Sequence, residues 1–356
     1  MKILFKNRFD SLKSPGGDTI QMLQTKKYLE KQGYKIDISL EPGESMKDYD
    51  LIHVFNCMRP LETSASIFQA KEENKKVALS SIYWDFNEFN LFGRTSLVER
   101  LLYRGFNEFF VEKIKDSLRI KHKDYRKKHI VKYYLKNYKN TLKNVDMFLP
   151  NSANEGEIII EKISKNAKYH IVNNAVDKNI FCINQSITRN NDAMIAARID
   201  PRKNILNLVK AIKNRKLNIF GSPSNFHLKY LNNIHKESDK NISFHGHVKS
   251  SELARLYNSH LIHILPSWLE TPGLSQLEAA ACGCNIVSTS KGSAKEYFGD
   301  MAKYCNPSNI ASIKAALEDS YDNLIAPNLM SEYILSRYTW ETSAKQTIKA
   351  YEKILG

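Results

Sequence analysis

The chain has 356 residues, 42% hydrophobic and 26% charged, the balance of a folded protein with room for two domains and a buried core in each. Its five cysteines, an odd number, argue against a disulfide framework, and no run approaches the roughly 20 apolar residues that a membrane-spanning helix needs. The formal charge of +15 calls for an acidic partner, whether nucleic acid, an anionic membrane surface or a phosphorylated substrate.

Lys2-Ile3-Leu4-Phe5 is a short apolar run broken at Asn7-Arg8, so it reads as a first strand rather than a secretory signal. The expected location is therefore the cytoplasm, at most peripheral on the inner face of the cell membrane. A loop carrying Ser14-Pro15-Gly16-Gly17-Asp18 follows. A helix is expected from Thr19 to about Gln32, with Asp18 as N-cap and Gly33 just past its end. Alternation over 34–40 and apolar runs at 51–55 and 76–80 predict further strands. Asp48-Tyr49-Asp50 has a D-x-D spacing that suits a divalent cation, but it directly precedes an apolar strand and reads as a turn. His53, inside that strand, reads as a buried polar neighbour.

From about Leu101 to Lys143 runs a long insertion. It carries Tyr103, Phe106, Phe109 and Phe110, then a Lys- and Arg-rich stretch from Lys113 to Lys143 with Tyr125, Tyr133, Tyr134 and Tyr138 interleaved at helical spacing. Such a pattern fits a solvated helical pair packed on the first domain. It also fits a face that meets an anionic membrane or a phosphate-bearing lipid acceptor, or, less naturally, nucleic acid.

The second half repeats short apolar strands at 193–197, 217–220, 242–244, 261–265 and 285–288, separated by helix-length segments. Ile205, Leu206, Leu208, Val209 and Ile212 give one of those helices its apolar face. The expected class is α/β: two doubly wound domains joined near 179–192 and facing across a cleft, with ligands beyond the carboxyl ends of the strands. Cys282 and Cys284 have no partner pair at zinc spacing and read as small packing residues.

The segment from Pro266 to Gly283 carries the most chemistry. A loop closes a strand, and a helix opens near Gly273. The free amides of Gly273, Leu274 and Ser275 would then face a diphosphate. Glu270 lies before the helix and Glu278 about two turns into it, so the two carboxylates can address different parts of one extended ligand. The plainer alternative is that Glu270 caps the helix and Glu278 is a surface position.

Glu270 and Glu278, with seven residues between them, resemble the E-x7-E motif of family 4 of the retaining GT-B glycosyltransferases. Ala279-Ala280-Ala281-Cys282-Gly283 matches its continuation. Arg198-Ile199-Asp200-Pro201-Arg202-Lys203-Asn204 is similar to its R-x4-K-N loop, and Asn174-Ala175-Val176-Asp177 with Phe181 to its NGVD…F segment. Phe244-His245-Gly246-His247-Val248, Gly16-Gly17 and Ser293–Asn306 with Glu296 resemble further family features, in order along the chain.

The resemblance implies a GT-B fold of two Rossmann-like domains. These would be an acceptor-binding domain at 1–178 with the basic insertion at 101–143, a nucleotide-sugar-binding domain at 179–335, and a C-terminal helix at 336–356 packing back on the first. It implies that Arg198 and Lys203 hold the donor diphosphate, that Glu278 receives the ribose hydroxyls, and that Glu270 stabilises positive charge at the anomeric carbon. Gly16 and Gly17 would let the backbone approach donor and acceptor closely. The implied activity is transfer of a sugar from a UDP- or GDP-sugar to a glycan or lipid-linked acceptor in envelope polysaccharide synthesis, without cofactor or metal. Two departures stand out. Trp84, within Ile82-Tyr83-Trp84-Asp85-Phe86, occupies the place of a family His, so Trp84 and Asp85 either contact sugar or acceptor or belong to the core. Ala175 replaces a Gly. The competing expectations are a GT-B relative such as a sugar-nucleotide 2-epimerase, a phosphorylase, or a basic nucleic-acid-binding protein. No G-x-G-x-x-G follows a strand, which argues against a dehydrogenase.

Overall fold

A computed structural model describes residues 1–41, 43–106, 110–112, 114–115 and 138–356. Phe109, Lys113, Tyr125, Tyr133, Tyr134 and most of the basic run lie outside the described residues. The chain divides into two compact units. One comprises Met1–Asp85, Leu102–Asn174 and Trp340–Gly356; the other comprises Phe86–Leu101 and Ala175–Thr339. The division departs from the expected boundaries: residues 175–178 and 336–339 fall in the second unit, and so does Phe86–Leu101, where Phe89 and Gly93 pack on Trp268.

In chain order the elements up to residue 162 are β1 (Lys2–Lys6), α1 (Gly17–Glu30), β2 (Lys35–Ile38), β3 (Leu51–Phe55), α2 (Pro60–Glu72), β4 (Lys76–Ser80), α3 (Leu97–Gly105), α4 (Tyr138–Leu142), β5 (Met147–Phe148) and α5 (Ala153–Lys162). The strands of the first unit form one parallel sheet, ordered β2-β1-β3-β4-β5. All five residues of β3 are buried, as a central strand covered on both faces requires.

His53 on β3 is a structural peg. Its Nδ1 lies 2.6 Å from the Tyr351 hydroxyl and its Nε2 2.9 Å from the Ser80 hydroxyl, and burial pushes its pKa down to about 3. A neutral imidazole thus ties the C-terminal helix to the sheet. The D-x-D residues serve local contacts: Asp50 accepts the Lys2 amide at 2.7 Å, and the Tyr49 hydroxyl donates to Asp37 at 3.0 Å.

Helix α1 starts two residues before the expected Thr19 and ends at Glu30, with Gly16 in the cap position. Asp18 is not the cap. Its carboxylate accepts Arg8 Nε at 2.7 Å and Asn56 Nδ2 at 3.1 Å, and a buried ion pair outweighs a cap hydrogen bond. The insertion also differs at its end. Tyr138, expected on an amphipathic surface, is buried, and its hydroxyl donates to the Cys57 carbonyl. Near its start, Tyr103 donates to Glu112 at 2.7 Å, and Phe106 and Phe110 stack with ring centres 5.1 Å apart.

The second half runs β6 (Asn190–Ala196), α6 (Ile205–Ala211), β7 (Leu217–Phe220), α7 (Leu228–Glu237), β8 (Ile242–Gly246), α8 (Ser250–Ser259), β9 (His260–Leu265), α9 (Leu274–Ala281), β10 (Asn285–Thr289), α10 (Ala294–Phe298), β11 (Ala302–Cys305), α11 (Ile310–Asp322), α12 (Pro327–Leu335) and α13 (Trp340–Leu355). Of these, α13 belongs to the first unit. The six strands of the second unit are parallel, in the order β11-β10-β9-β6-β7-β8, which is the doubly wound dinucleotide-fold order. Alternation along β6 sends Ala193 and Ile195 into one core with Ile205, Leu208 and Ile313, and Met194 and Ala196 into the other with Leu277, Ala280 and Tyr297. Sequence reading missed β11 because only Ala302 and Cys305 of its four residues are buried.

The small residues after Glu278 have a packing reason. Ala279, Ala280 and Ala281 are fully buried, and Ser331 on α12 donates to the Ala281 carbonyl at 2.6 Å, so α12 lies close against α9. Gly283 closes α9 with φ +85°, its amide donating to Ala280 at 2.8 Å and that of Cys284 to Ala279 at 2.9 Å. That left-handed position favours glycine. Cys282 and Cys284 are buried free thiols, and burial pushes Cys284 up to about 12.

Candidate active site

The strand order decides where the second unit can bind a ligand. Successive strands run outward from β6 to one edge and from β9 to the other, so the loops leaving these two neighbours diverge and open a crevice. The loop after β6 holds Arg198 and Lys203; the loop after β9 holds Glu270.

Asp200 builds the first loop. Its carboxylate accepts the Arg202 amide at 2.9 Å and caps the short turn Pro201–Lys203. Burial works to raise its pKa, yet Arg202, Lys203 and Arg198 around it hold it below the usual value, so it stays ionised. Asn204, at φ +58°, sends its side-chain amide to the carbonyls of Pro266 at 3.0 Å and Pro307 at 2.8 Å. The Trp268 amide donates to Arg202 at 2.9 Å. These bonds fasten the two loops together, and Lys203 Nζ meets Glu270 Oε1 at 2.6 Å. Arg198 stands exposed at the carboxyl end of β6.

Glu270 is held from behind as well. Its amide donates to Lys291 at 3.4 Å, and its carbonyl accepts the Ser293 amide at 2.9 Å. Gly292, at φ +93°, lies so close that a Cβ there would overlap the Glu270 carbonyl. On the other side a Cβ on Gly273 would come within 3.1 Å of Glu270 Oε2, so the carboxylate sits beside the start of α9. The first helical donors are Gln276 and Leu277, both to the Gly273 carbonyl. The amides of Gly273, Leu274 and Ser275 come before them, at the positive end of the helix. Glu270 does not cap α9; the cap residue is Gly273, which has no side chain to offer.

Glu278 is not an open surface position either. It is half-buried, its Oε2 accepts the Tyr257 hydroxyl at 3.3 Å, and burial of the carboxyl pushes its pKa up to about 8. Sequence reading missed Gly221, where φ is +146° and a Cβ would overlap the Ala197 carbonyl just before Arg198. A glycine directly after the β7 apolar run was its available signal. The two loops therefore bring Lys203 and a helix N-terminus to the Glu270 carboxylate, with Arg198 exposed on the first loop and Asp200 buried beneath it. That charge pattern can neutralise a diphosphate while keeping one negative group for a developing cation.

The remaining candidates lie in the first unit. Gly16 and Gly17 start α1, and Gly16 has an ordinary extended backbone, φ −128°. Their loop wraps the buried Arg8 guanidinium, which donates to the Ser14 carbonyl at 2.6 Å and pairs with Asp10 and Asp18 at 2.7 Å each. Arg8 was not singled out from the sequence; a lone Arg after a strand carries no periodic signal. Trp84 is buried at 3% exposure, so it lies in the core, and Asp85 pairs with Lys162 at 2.6 Å.

Comparison with known proteins finds relatives of part of the chain and of the whole fold. Residues 177–337 match the family model described as glycosyl transferases group 1. The chain is 28% identical to the O-antigen chain mannosyltransferase B of Escherichia coli over 116 residues, covering 31% of this chain and 30% of that protein. It is 26% identical to a probable sucrose-phosphate synthase of Thermosipho melanesiensis over 176 residues, 45% of this chain and 41% of the relative. The chain thus spans less than half the length of these relatives. Among solved structures, the sucrose-phosphate synthase of Thermosynechococcus elongatus superposes with a TM-score of 0.73 at 14% identity, over 99% of this chain and 98% of that one. Anabaena HepE in complex with UDP-glucose gives 0.68 at 14% identity, over 99% and 100%. At that identity the likeness speaks for the fold alone. Over residues 177–337 the chain is similar to the glycosyl transferases group 1, and its two parallel-sheet units have the GT-B fold.

Proposed function

We propose that the protein is a retaining, metal-independent glycosyltransferase that moves a sugar from a UDP- or GDP-sugar to a glycan or lipid-linked acceptor in envelope polysaccharide synthesis. The observation that carries this reading is the Lys203–Glu270 pair, 2.6 Å apart, beside the N-terminus of α9 at the divergence of β6 and β9. Arg198 and Lys203 hold the donor diphosphate, with the amides of Gly273, Leu274 and Ser275 adding backbone donors. Two cations and a helix end offset the leaving charge without a divalent ion. Glu278 accepts the ribose hydroxyls.

In the reaction the bond from the anomeric carbon to the phosphate oxygen breaks and the acceptor hydroxyl oxygen bonds to that carbon. The hydroxyl proton passes to the leaving diphosphate. Glu270 stabilises the positive charge at the anomeric carbon, and it is assigned no nucleophile role. Lys203 then serves two anions, Glu270 and the diphosphate. The first unit, with Gly16, Gly17 and the Arg8 cluster, takes the acceptor. Support for the donor class comes from the UDP-glucose in the HepE structure and from the mannosyltransferase name of the E. coli relative.

A nucleotide screen by thermal shift tests the proposal. UDP, GDP, ADP, UDP-glucose and GDP-mannose are added to wild type, Arg198→Ala and Glu278→Ala, with and without EDTA. One nucleotide class is expected to raise the melting temperature of wild type, independently of EDTA, and to fail on both variants. No rise with any nucleotide rejects the reading, and a rise abolished by EDTA rejects metal independence.

A further inference from the structure

The segment after Asp85 does something that the E-x7-E motif alone does not require. It leaves the first unit and lies against the Glu270 loop from two sides. On one side Phe89, only 6% exposed, packs on Trp268 with ring centres 6.4 Å apart. Gly93 closes this contact so tightly that a Cβ would stand 2.7 Å from the Trp268 indole nitrogen. On the other side Glu88 pairs with Lys291 at 2.9 Å. Trp268 lies two residues before Glu270 and is bonded through its amide to the Arg202 carbonyl. Lys291 supplies the carbonyl that receives the Glu270 amide. The segment is itself braced: Arg94 donates to Asn90 at 2.9 Å and lies 5.1 Å over the Phe89 ring.

We infer that Glu88, Phe89 and Gly93 are positioning residues for Glu270, a strap that fixes its loop through Trp268 on one side and Lys291 on the other. They set where the carboxylate stands relative to the anomeric carbon, and a small misplacement there costs rate without costing donor affinity. The inference rests on the transferase reading above.

The test is a charge exchange read by a kcat-against-KM split. Release of UDP from UDP-glucose, or of GDP from GDP-mannose, is measured on wild type, Glu88→Lys, Lys291→Glu and the double exchange, together with Phe89→Ala. Each single exchange is expected to lower kcat by about fivefold, the rate equivalent of a half-exposed ion pair. KM and the nucleotide-induced rise in melting temperature should stay as in wild type. The double exchange should regain most of the lost kcat, and Phe89→Ala should lose more than either single exchange. Unchanged kcat in the single variants, or no recovery in the double, overturns the positioning role. A wild type that neither turns over nor binds either nucleotide sinks the transferase reading and this inference with it.

Discussion

At the scale of single residues the site is a balance of charges. Glu270 is buried, and Lys203 is the cation paired with it. Replacing Lys203 with Met leaves the buried Glu270 carboxylate without its ion-pair partner. The ligand-free protein should lose about 1.5–3 kcal/mol, the cost of a lost hydrogen bond to a charged group. Adding Glu270→Gln should return much of that stability, because it removes the stranded charge, while turnover stays lost in the double variant. Melting temperatures of the two singles and the double decide this. Equal destabilisation by the double and by Lys203→Met would show that the pair is not coupled. The conformations of Asn204, Gly221 and Gly292 belong to the same scale, since each allows a close approach that sets the loops around this pair.

At the scale of elements, α9 carries the two functions of its motif on different faces. The alanines pack against α12, and Glu278 turns toward Tyr257. Burial raises the Glu278 carboxyl from its ordinary 4.5 to about 8. Between those values the unfolded chain has released the proton and the folded chain still holds it. The native state binds more protons there, so stability declines as pH climbs from about 5 to about 8 and levels off above. Glu278→Gln should flatten that decline, measured as melting temperature against pH without ligand. An unchanged slope would refute the raised carboxyl as its source. Ribose hydroxyls donating to Glu278 would favour the ionised form, so nucleotide binding at neutral pH should release a proton.

For the whole molecule the salient feature is charge with exposed apolar surface. Helix α3 has no buried residue, and Leu97, Val98 and Leu101 stand 72%, 68% and 65% exposed. No helix among the described residues is long and apolar enough to cross a membrane. A formal charge of +15 and this apolar face fit an anionic lipid surface, where a lipid-linked acceptor would be found. The wild type should co-sediment with vesicles containing anionic lipid, more weakly at high salt, and Leu97→Gln/Val98→Gln/Leu101→Gln should bind less. Equal binding to neutral vesicles, or none, would rule out the electrostatic attachment.

The sequence by itself determined the α/β class, nine of the eleven strands among the described residues to within a few residues, and the motif positions Arg198, Lys203, Glu270 and Glu278. These are local facts: apolar runs of strand length, and polar residues at fixed spacing around a strand end or a helix start. Elements without such a signature escaped it, as with the two-residue β5 and the half-buried β11. Only the tertiary structure decided that Lys203 neutralises Glu270, that Trp84 and Tyr138 are core, and that Arg8 organises the Gly16 loop. It alone assigned Phe86–Leu101 to the second unit. Each of these depends on strand order and on which side chains lose water, and pairings across 67 residues, as between Lys203 and Glu270, leave no periodicity in the chain to read.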